Sequence, residues 1–263
     1  MKLGFIGSGN MAQAMIGGIV KNNIVAASDI IASDLSNETL AKLSKKGVHT
    51  TISNLEVVRE SEIIVLAVKP QYYEAVITEI KEEVKETQIV ISIAPGKKIS
   101  WLEEKFGKKV KIVRTMPNTP ALVGEGITGV CCNCEVTADE LERSCSILRG
   151  FGIAEVLPES LMDVVVSVSG SSPAYVFMFI EAMADAAVAD GMPRDKAYRF
   201  AAQAVLGSAK MVLETGKHPG ELKDMVCSPG GTTIEAVRVL EEKGMRSSVI
   251  EAMKACAKKA REM

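Results

Sequence analysis

The sequence predicts an α/β domain of the doubly wound type, followed by an all-helical C-terminal domain. Short β-branched runs alternate with amphipathic helical stretches up to about residue 158, a pattern typical of parallel strands covered by helices on both faces. After residue 161 the strand-like runs stop, and alanine, methionine, leucine and glutamate dominate. We therefore expect one domain over residues 1–158 and a second over residues 159–263.

The composition is that of an ordinary globular protein. The 263 residues are 47% hydrophobic and 24% charged, with a net charge of −2. A net charge near zero gives no basic field to attract nucleic acid or an anionic membrane. Aromatic residues make up 4%, which also argues against a surface on which bases stack. We expect neither nucleic acid nor a membrane as a partner.

Several features of the sequence bear on where in the cell the protein is located. The N-terminus begins with a strand-like run and has none of the features of a secretory leader. The longest apolar-rich stretch, residues 173–192, carries Glu181, Asp185 and Asp190, charges that membrane spans rarely hold, so we interpret it as a buried helix. Six cysteines without an export signal are expected to be reduced thiols. These points predict a cytoplasmic location.

Strand candidates are confined to the first domain. Most are nearly continuous runs of Val, Ile and Leu, as expected for strands buried on both faces. Helix signals lie between them, because Ser53 and Thr137 each begin a capping-box pattern and Gly47 marks a helix end. The predicted strands are residues 2–6, 29–33, 62–68, 88–94, 111–115 and 126–132.

The helices of the second domain are apolar on most of their faces. Residues 182–189 and 201–209 carry small and apolar side chains around nearly the whole helical circumference. A helix that is apolar all round must be buried on all sides, and roughly a hundred helical residues cannot easily achieve that alone. The pattern therefore predicts a subunit interface in this half.

The cysteines and histidines do not form a recognisable metal site. Cys131, Cys132 and Cys134 lie close together in sequence, but the second ligand pair that would complete a tetrahedral site is missing. The two histidines, His49 and His218, stand alone in sequence. We therefore expect no metal and interpret the cysteines as small apolar side chains.

A glycine-rich turn follows the first predicted strand. The form G-x-G-x-x-A occurs at residues 7–12 (GSGNMA), and its glycines let backbone N–H groups approach a pyrophosphate at the N-terminus of the next helix. Its place between a strand and a helix makes the motif informative; the alternative is a turn without a ligand. We expect a Rossmann-type dinucleotide-binding domain.

That fingerprint also requires an acidic residue at the end of the second strand. Asp34 lies at that place. Its carboxylate could accept hydrogen bonds from the adenosine ribose hydroxyls, or it could cap the helix that begins there. The sequence favours neither alternative.

Two stiff loops are predicted at the carboxyl edge of the sheet, where open α/β sheets bind ligands. One comprises residues 67–70 (AVKP) and the other residues 116–120 (MPNTP). Proline fixes φ and removes a backbone donor, so both loops should be rigid. Lys69 is either a solvated charge or a cation beside a bound dinucleotide.

A second anion-binding segment is predicted in the helical half, at residues 227–236 (CSPGGTTIEA). Ser228 as N-cap with Pro229 as the first helical residue is typical of a helix start. Gly230 and Gly231 leave backbone N–H groups accessible, although adjacent glycines cost roughly 1 kcal/mol each in a helix. We therefore interpret the segment as a carboxylate-binding cup rather than a plain helix start.

Over its whole length the sequence resembles the pyrroline-5-carboxylate reductases. The resemblance rests on residues 4–12 (GFIGSGNMA), 67–70 (AVKP), 118–120 (NTP), 169–175 (SGSSPAY), 218–224 (HPGELKD) and 228–233 (SPGGTT), of which the last two are the most specific. It implies hydride transfer from NAD(P)H to the C=N carbon of 1-pyrroline-5-carboxylate, giving L-proline in the last step of proline biosynthesis. It also implies an all-α dimerisation domain and a homodimer or larger ring.

The resemblance implies roles for individual residues as well. The implied cofactor contacts are Ile6, Gly7, Ser8, Gly9, Asn10 and Met11 around the pyrophosphate, Ser33, Asp34 and Asn54 at the ribose, and Ala67, Val68, Lys69, Pro70 and Ala94 toward the nicotinamide. The implied substrate contacts are Glu159, Ser228, Gly230, Gly231, Thr232 and Thr233. Thr233 is the candidate catalytic residue, as hydrogen-bond partner of the ring nitrogen and proton relay. A protonated cyclic imine is already electrophilic, so the site mainly has to orient it.

Two other classes are to be weighed against this one. An enzyme of the β-hydroxyacid dehydrogenase type would share the first domain but place a catalytic lysine on the long helix near residues 169–181, where this sequence has none. A dinucleotide-sensing regulatory protein would need no second anion cup and would be expected to carry a DNA-binding element, of which the sequence shows no sign.

Asp34 also bears on the choice of nicotinamide cofactor. Many members of the family end the second strand with small polar or basic residues suited to a 2′-phosphate, whereas residues 33–37 here are SDLSN. A carboxylate would repel that phosphate, and the closest basic residue along the segment is Lys42. We expect NADH to serve at least as well as NADPH.

Overall fold

The computed structural model describes residues 2–262, which fold into two units. The first unit runs to Ser171 and also contains the end of the chain from Cys256. The second unit is Ser172–Ala255. The structural division therefore falls later than the boundary that the sequence pattern suggests, and the end of the last helix belongs to the first unit.

One mixed sheet runs through the first unit. Its strands are β1 (Leu3–Ile6), β2 (Ile30–Ser33), β3 (His49–Thr51), β4 (Ile63–Leu66), β5 (Ile89–Ser92), β6 (Lys111–Met116), β7 (Gly126–Cys132) and β8 (Gly152–Val156). Within residues 2–262 the order is β3-β2-β1-β4-β5-β6-β7-β8. Neighbours pair in parallel, apart from the antiparallel pair β6 and β7. The order reverses between β1 and β4, which is the switch point where doubly wound folds bind ligands.

Helices cover both faces of this sheet. They are α1 (Asn10–Lys21), α2 (Asn37–Ser44), α3 (Asn54–Glu60), α4 (Tyr73–Ile80), α5 (Ile99–Phe106), α6 (Ala138–Leu148) and α7 (Met162–Val165). The capping box at Thr137 is complete. At Ser53 only half of it forms, because the Glu56 carboxylate accepts from the Thr51 hydroxyl instead.

The core has two layers, one on each side of the sheet. Along β1 the side chains of Leu3 and Phe5 pack into one layer and that of Ile6 into the other, as the alternation of a strand requires. Trp101, the one tryptophan of the sequence, packs against the second layer from α5. The Nζ atoms of Lys97 and Lys105 lie 4.5 and 5.7 Å from the centre of its ring.

The predicted doubly wound domain is confirmed, with two strands that the sequence did not reveal. β3 is a three-residue polar strand at one edge of the sheet, and β8 is a half-exposed strand at the other edge. Edge strands have one free side and need no continuous apolar run, which explains why periodicity missed them. The predicted strands at residues 62–68 and 88–94 are each shorter in the structure, at Ile63–Leu66 and Ile89–Ser92.

The second unit is helical, as expected. A π-helical turn at Val166–Gly170 leads to α8 (Ser172–Ala189), α9 (Arg194–Thr215), α10 (Pro219–Val226), α11 (Thr232–Glu242) and α12 (Met245–Arg261), the last of which ends in the first unit. α8 packs against α9.

The prediction of a buried helix at residues 173–192 is wrong for the single chain. Phe177 and Met178 on α8 are 63% and 68% exposed, and Phe200 on α9 is 68% exposed. The segment Glu159–Ala189 is long and apolar enough to cross a membrane by length and composition alone. The other helices of the second unit leave these apolar faces of α8 and α9 uncovered. Both helices carry apolar residues on more sides than their neighbours within the unit contact.

Candidate active site

The glycine turn after β1 is shaped by close contact with the loop that follows β4. Gly7 has φ +92°, and a Cβ atom there would lie 2.8 Å from the backbone of Ala67 and Val68. Its N–H donates to the carbonyl of Ser33 at 2.9 Å. Only glycine fits this position, since both the positive φ and the space exclude a side chain.

The same turn leaves the N-terminus of α1 open. Gly9 is the N-cap and contributes no side-chain hydrogen bond. No heavy atom of the described residues lies within 4 Å of the position that a Cβ of Gly9 would take. The first N–H groups of a twelve-residue helix therefore meet open space, where the helix dipole favours an anion.

Asp34 bonds to that turn and to its own loop. Oδ2 accepts from the N–H of Ser8 at 2.8 Å, and Oδ1 accepts from the N–H of Ser36 at 2.8 Å. Ser36 in turn caps α2 by accepting from the N–H of Thr39. Asp34 thus shapes the start of α2 without being its N-cap, while each of its oxygens keeps a second lone pair for a ribose hydroxyl.

The two other predicted ribose contacts lie side by side. The buried Ser33 hydroxyl donates to Oδ1 of Asn54 at 2.7 Å, and Nδ2 of Asn54 donates to Glu79 at 2.8 Å. Just beyond the ends of β2 and β3, Leu35 and Ile52 are 94% and 71% exposed. Leu35 and Ile52 were not among the residues predicted for the site, although large apolar residues in two polar loops are a usable sequence signal.

The predicted nicotinamide contacts follow β4 and β5. The N–H of Ala67 donates to the carbonyl of Ile6 at 2.8 Å, which ties this loop to the end of β1. Lys69 is exposed and stands before the 3₁₀ turn Pro70–Tyr72, whereas Ala94 is buried. The structure therefore places all these residues at the carboxyl edge of the sheet, and leaves both interpretations of Lys69 open.

Tyr73 links the ends of β4 and β5, a role that was not predicted from the sequence. Its side chain is fully buried, and its hydroxyl donates to the carbonyl of Leu66 at 2.5 Å. The hydroxyl also accepts from Oγ of Ser92 and from the N–H of Ile93, both at 3.3 Å. Burial raises the pKa of Tyr73 to about 12, so the hydroxyl stays protonated at neutral pH.

The loop after β6 is tied to its surroundings by side-chain hydrogen bonds. Asn118 is buried; its Oδ1 accepts from the N–H of Ile127 at 2.9 Å and its Nδ2 donates to the carbonyl of Ser169 at 3.0 Å. One residue before the loop, the Thr115 hydroxyl donates to the carbonyl of Ser92 at 3.0 Å. The side-chain bonds of Thr115 and Asn118 therefore add to the stiffness that proline provides.

Glu159 is held in a largely buried ion pair. Its Oε1 accepts from Nη1 of Arg114 and from the N–H of Ile99, each at 2.8 Å, while Asp163 lies 4.0 Å from the same guanidinium. Arg114 is 3% exposed. Through Oε1, Glu159 thus joins β6 to the start of α5. An arginine inside the apolar run of β6 is unusual, and a buried ion pair could have been inferred from it.

The segment 228–233 forms a turn and then a helix. The N–H of Gly231 donates to the carbonyl of Ser228 at 3.0 Å, Gly230 has φ +67°, and α11 begins only at Thr232. The prediction of Ser228 as N-cap is therefore wrong; Gly231 is the N-cap, because the positive φ of Gly230 turns the chain before the helix starts. A Cβ at Gly231 would lie 2.3 Å from Oγ of Ser228.

This correction strengthens the case for an anion cup. Gly231 has no side chain with which to cap α11, so the first N–H groups of an eleven-residue helix have no side-chain cap among the described residues. Thr233 is half-buried beside them and carries a hydroxyl. N–H groups at a helix N-terminus together with a hydroxyl suit a small carboxylate that bears a second polar group.

His49 is not as isolated in the structure as in the sequence. Its ring lies close to the carboxylates of Glu56 and Glu60, with the candidate ligand atoms within 4.8 Å of one another. Glu56 already accepts from Thr51, however, and Glu60 lies 3.6 Å from Nζ of Lys2. We assign no metal to this group.

The remaining candidates also have ordinary structural roles. His218 caps α10, and its Nδ1 accepts from the N–H of Gly220 at 3.0 Å. Burial raises the pKa of the Cys131 thiol to about 12 and raises that of Cys132 as well. Such thiols stay protonated and unreactive at neutral pH.

An open helix N-terminus at the switch point of a doubly wound sheet, with an acidic residue after the second strand, is typical of a dinucleotide-binding protein. A pyrroline-5-carboxylate reductase of Escherichia coli (strain K12) is 53% identical over 263 residues, covering 100% of this chain and 98% of that protein. The chain therefore belongs to the pyrroline-5-carboxylate reductase family. It is an NAD(P)H-dependent enzyme that reduces 1-pyrroline-5-carboxylate to L-proline, the final step of proline biosynthesis.

Other comparisons agree. A family model described as pyrroline-5-carboxylate reductase dimerisation matches residues 159–263, and one described as NADP oxidoreductase, coenzyme F420-dependent, matches residues 2–96. The Coxiella burnetii reductase structure is 37% identical with a TM-score of 0.93, covering 99% of this chain and 97% of that one. A Plasmodium falciparum pyrroline carboxylate reductase with NADP bound is 35% identical with a TM-score of 0.90, covering 100% and 97%. The predicted fold class, family and reaction are confirmed.

Proposed function

We propose that the first unit binds NAD(P)H at the glycine turn and that the N-terminus of α11 binds the substrate. The observation that carries the proposal is the presence of two helices, α1 and α11, whose N-caps are glycines without a side-chain bond. Each offers backbone N–H groups to an anion. The reaction needs two such sites, because both the dinucleotide and pyrroline-5-carboxylate are anions.

The cofactor contacts proposed from the sequence fit this geometry. The pyrophosphate would lie at residues 7–11, on the N–H groups at the start of α1, where Gly9 leaves the space open, because the N–H groups of Gly7 and Ser8 already donate to Ser33 and Asp34. The ribose would lie by Asp34 and Asn54, and the exposed side chains of Leu35 and Ile52 offer an apolar surface to the adenine ring. The nicotinamide would lie toward the loop of Val68 and toward Ala94, beside the switch point.

The substrate contacts follow from the chemistry of a cyclic imine acid. We propose that the carboxylate accepts from the N–H groups of Thr232 and Thr233, and that Ser228 and the glycines shape the cup. The hydroxyl of Thr233 would hold the ring nitrogen, and Oε2 of Glu159 remains a proposed substrate contact. A nicotinamide held there would supply the hydride for the imine carbon, and the C=N electron pair would pass to the ring nitrogen, which already carries its proton.

We also propose a homo-oligomer built through the helical half, with domains at residues 1–158 and 159–263. The dimerisation family model over residues 159–263 and the exposed apolar faces of α8 and α9 support this. We further propose a cytoplasmic enzyme without a nucleic-acid or membrane partner, as the composition suggests. Cell fractionation tests the last point, because an enzyme recovered with membranes would make Glu159–Ala189 a membrane segment.

The two rival classes are disfavoured by particular residues. α8 contains no lysine that could serve a β-hydroxyacid dehydrogenase. A purely regulatory dinucleotide sensor would have no use for the second anion site at α11. The reductase assignment uses both sites, so it accounts for more of the chain.

The test is an absorbance assay of NADH and NADPH oxidation with each candidate substrate. We expect oxidation that depends on 1-pyrroline-5-carboxylate, and L-proline as the product. A β-hydroxyacid with the oxidised cofactor should give no reduction. Cofactor binding without turnover of any of these substrates would instead support the sensor.

A further inference from the structure

We propose that Tyr73 is a positioning residue of the cofactor site, because its hydroxyl fixes the ends of β4 and β5 where their loops line the nicotinamide. The inference rests on the proposed cofactor contacts in those loops, at Val68 and Ala94. Tyr73 itself is fully buried and would not touch cofactor or substrate. It acts through the backbone that does.

The hydroxyl uses all of its hydrogen-bonding capacity. It donates once, to the carbonyl of Leu66 at 2.5 Å, and accepts twice, from Ser92 and Ile93 at 3.3 Å. A phenol offers one donor and two acceptor sites, so no polar group of the side chain is left unsatisfied. Because the ring is fully buried, removing the oxygen leaves the carbonyl of Leu66 without this partner and without water to replace it.

The two strands need such a tie at this point. Leu66 and Ser92 are paired residues at the ends of β4 and β5. The next ladder bond, from the N–H of Ile93 to the carbonyl of Leu66, is long at 3.4 Å. Beyond this bond, the segment after β4 enters the 3₁₀ turn Pro70–Tyr72, and the segment after β5 turns at Gly96, where φ is +75°. The hydroxyl of Tyr73 thus links the two strands at the point where the backbone hydrogen bonds between them end.

A shift of these strand ends would reach the glycine turn directly. Gly7 lies against the backbone of Ala67 and Val68, where a Cβ would come within 2.8 Å. On the other side, Thr115 holds the carbonyl of Ser92 at 3.0 Å. Tyr73 is therefore the middle of a row of contacts that runs along the carboxyl edge from β1 to β6. Hydride transfer is sensitive to displacements of this kind.

The test compares Tyr73→Phe with Ser61→Ala. Ser61 lies beyond the opposite end of β4, and its buried hydroxyl donates to the carbonyl of Val57 at 2.6 Å. Each variant loses one buried hydroxyl and keeps its backbone, so both should lower Tm. For Tyr73→Phe we expect KM for the nicotinamide cofactor to rise ~3- to 10-fold and kcat to fall, with KM for pyrroline-5-carboxylate within about twofold. Ser61→Ala should leave all three near the wild-type values.

The outcomes separate positioning from plain stability. Equal kinetics for the two variants at temperatures well below both Tm values would overturn the proposal. So would a rise in KM for pyrroline-5-carboxylate alone. A titration of NADPH fluorescence measures cofactor Kd without turnover and should show the same loss in Tyr73→Phe. If the wild-type protein binds NADPH but does not turn over, the proposed function fails while this titration still decides the role of Tyr73.

Discussion

The two units of the chain differ in how far they bury their apolar side chains. In the first unit every residue of β4 is at most 1% exposed, and the sheet is covered on both faces by its own helices. In the second unit, Phe200 and Leu213 of α9 are 68% and 74% exposed. The first unit thus completes its core within one chain, whereas the second needs a surface that one chain does not supply.

This difference teaches where the stability of each unit comes from. Burying a large apolar side chain stabilises a protein by about 1.5–3 kcal/mol, and in the second unit that contribution is still to be gained. Symmetric association is the usual way to gain it, because the same surface on two copies is self-complementary. The stability of the helical half should therefore depend on protein concentration, and that of the sheet much less.

Breaking the helical interface should have the largest effect. Ala186→Asp on α8 and Ala204→Asp on α9 place a charge among apolar faces, and an unpaired charge buried there costs several kcal/mol. We expect dissociation and loss of activity, measured by gel filtration with light scattering and by assay. Ala41→Asp on α2 is the matched control, since that alanine is exposed on the first unit. A fully active monomer carrying either interface charge would contradict the prediction.

In the first unit, the largest effect should come from the ion pair of Arg114 and Glu159. Glu159→Ala leaves Arg114 buried with only Asp163 nearby, which should lower the free energy of unfolding by roughly 3 kcal/mol. Urea denaturation measures this. Arg59→Ala removes an exposed ion pair with Glu83, which solvent screens, and should lower the free energy of unfolding much less. Equal losses in the two variants would show that burial of the first pair has no energetic consequence.

A change in the cup of the second unit should affect kinetics rather than packing. Thr233→Ala removes one hydroxyl at the start of α11 and should lower kcat/KM by ~10- to 100-fold, as for other positioned polar groups. Thr233→Ser keeps the hydroxyl and should recover most of the activity. Unchanged kcat and KM in Thr233→Ala would remove this residue from the site.

A larger change in the same cup is Gly231→Val. The new side chain would clash with Oγ of Ser228, so the variant should lose substrate binding and keep cofactor binding intact.

The smallest effect is expected at the surface of the first unit. Asp34 accepts from the N–H groups of Ser8 and Ser36 and places a carboxylate beside the proposed ribose site. Asp34→Ser should shift the preference toward NADPH, because the charge that repels a 2′-phosphate is gone. Steady-state kinetics with both cofactors measure the shift. A wild-type kcat/KM for NADPH more than about tenfold above that for NADH, a gap of ~1.4 kcal/mol, would overturn the expected preference.

Local patterns predicted most of the first unit. Apolar runs located the central strands, and the glycine motif located the open end of α1, because both features depend on neighbours in sequence. The missed elements depend on contacts across the fold. β3 is polar and short, and the bonds of Tyr73 with Ser92 join residues 19 positions apart. Nothing in the sequence around Tyr73 marks its hydroxyl as a tie between strands.

The candidate site shows the same limit. The sequence predicts a helix start close to the proposed cup at residues 228–233 but places it at Ser228, because serine followed by proline is a good local start signal. The positive φ of Gly230 moves the start to Thr232. The ion pair of Glu159 joins residues 45 positions apart, so the local sequence patterns did not predict it.

The single tryptophan makes the two halves separately visible. Trp101 lies on α5 in the first unit, next to the helix start that Glu159 holds, and the second unit has no tryptophan. Tryptophan emission, excited at wavelengths that tyrosine does not absorb, therefore reports unfolding of the first unit, whereas circular dichroism at helical wavelengths reports both units together. If dilution melts the helices first, the circular dichroism signal falls while the tryptophan emission stays native. The chain thus contains its own probe for whether assembly and folding occur in one step or two.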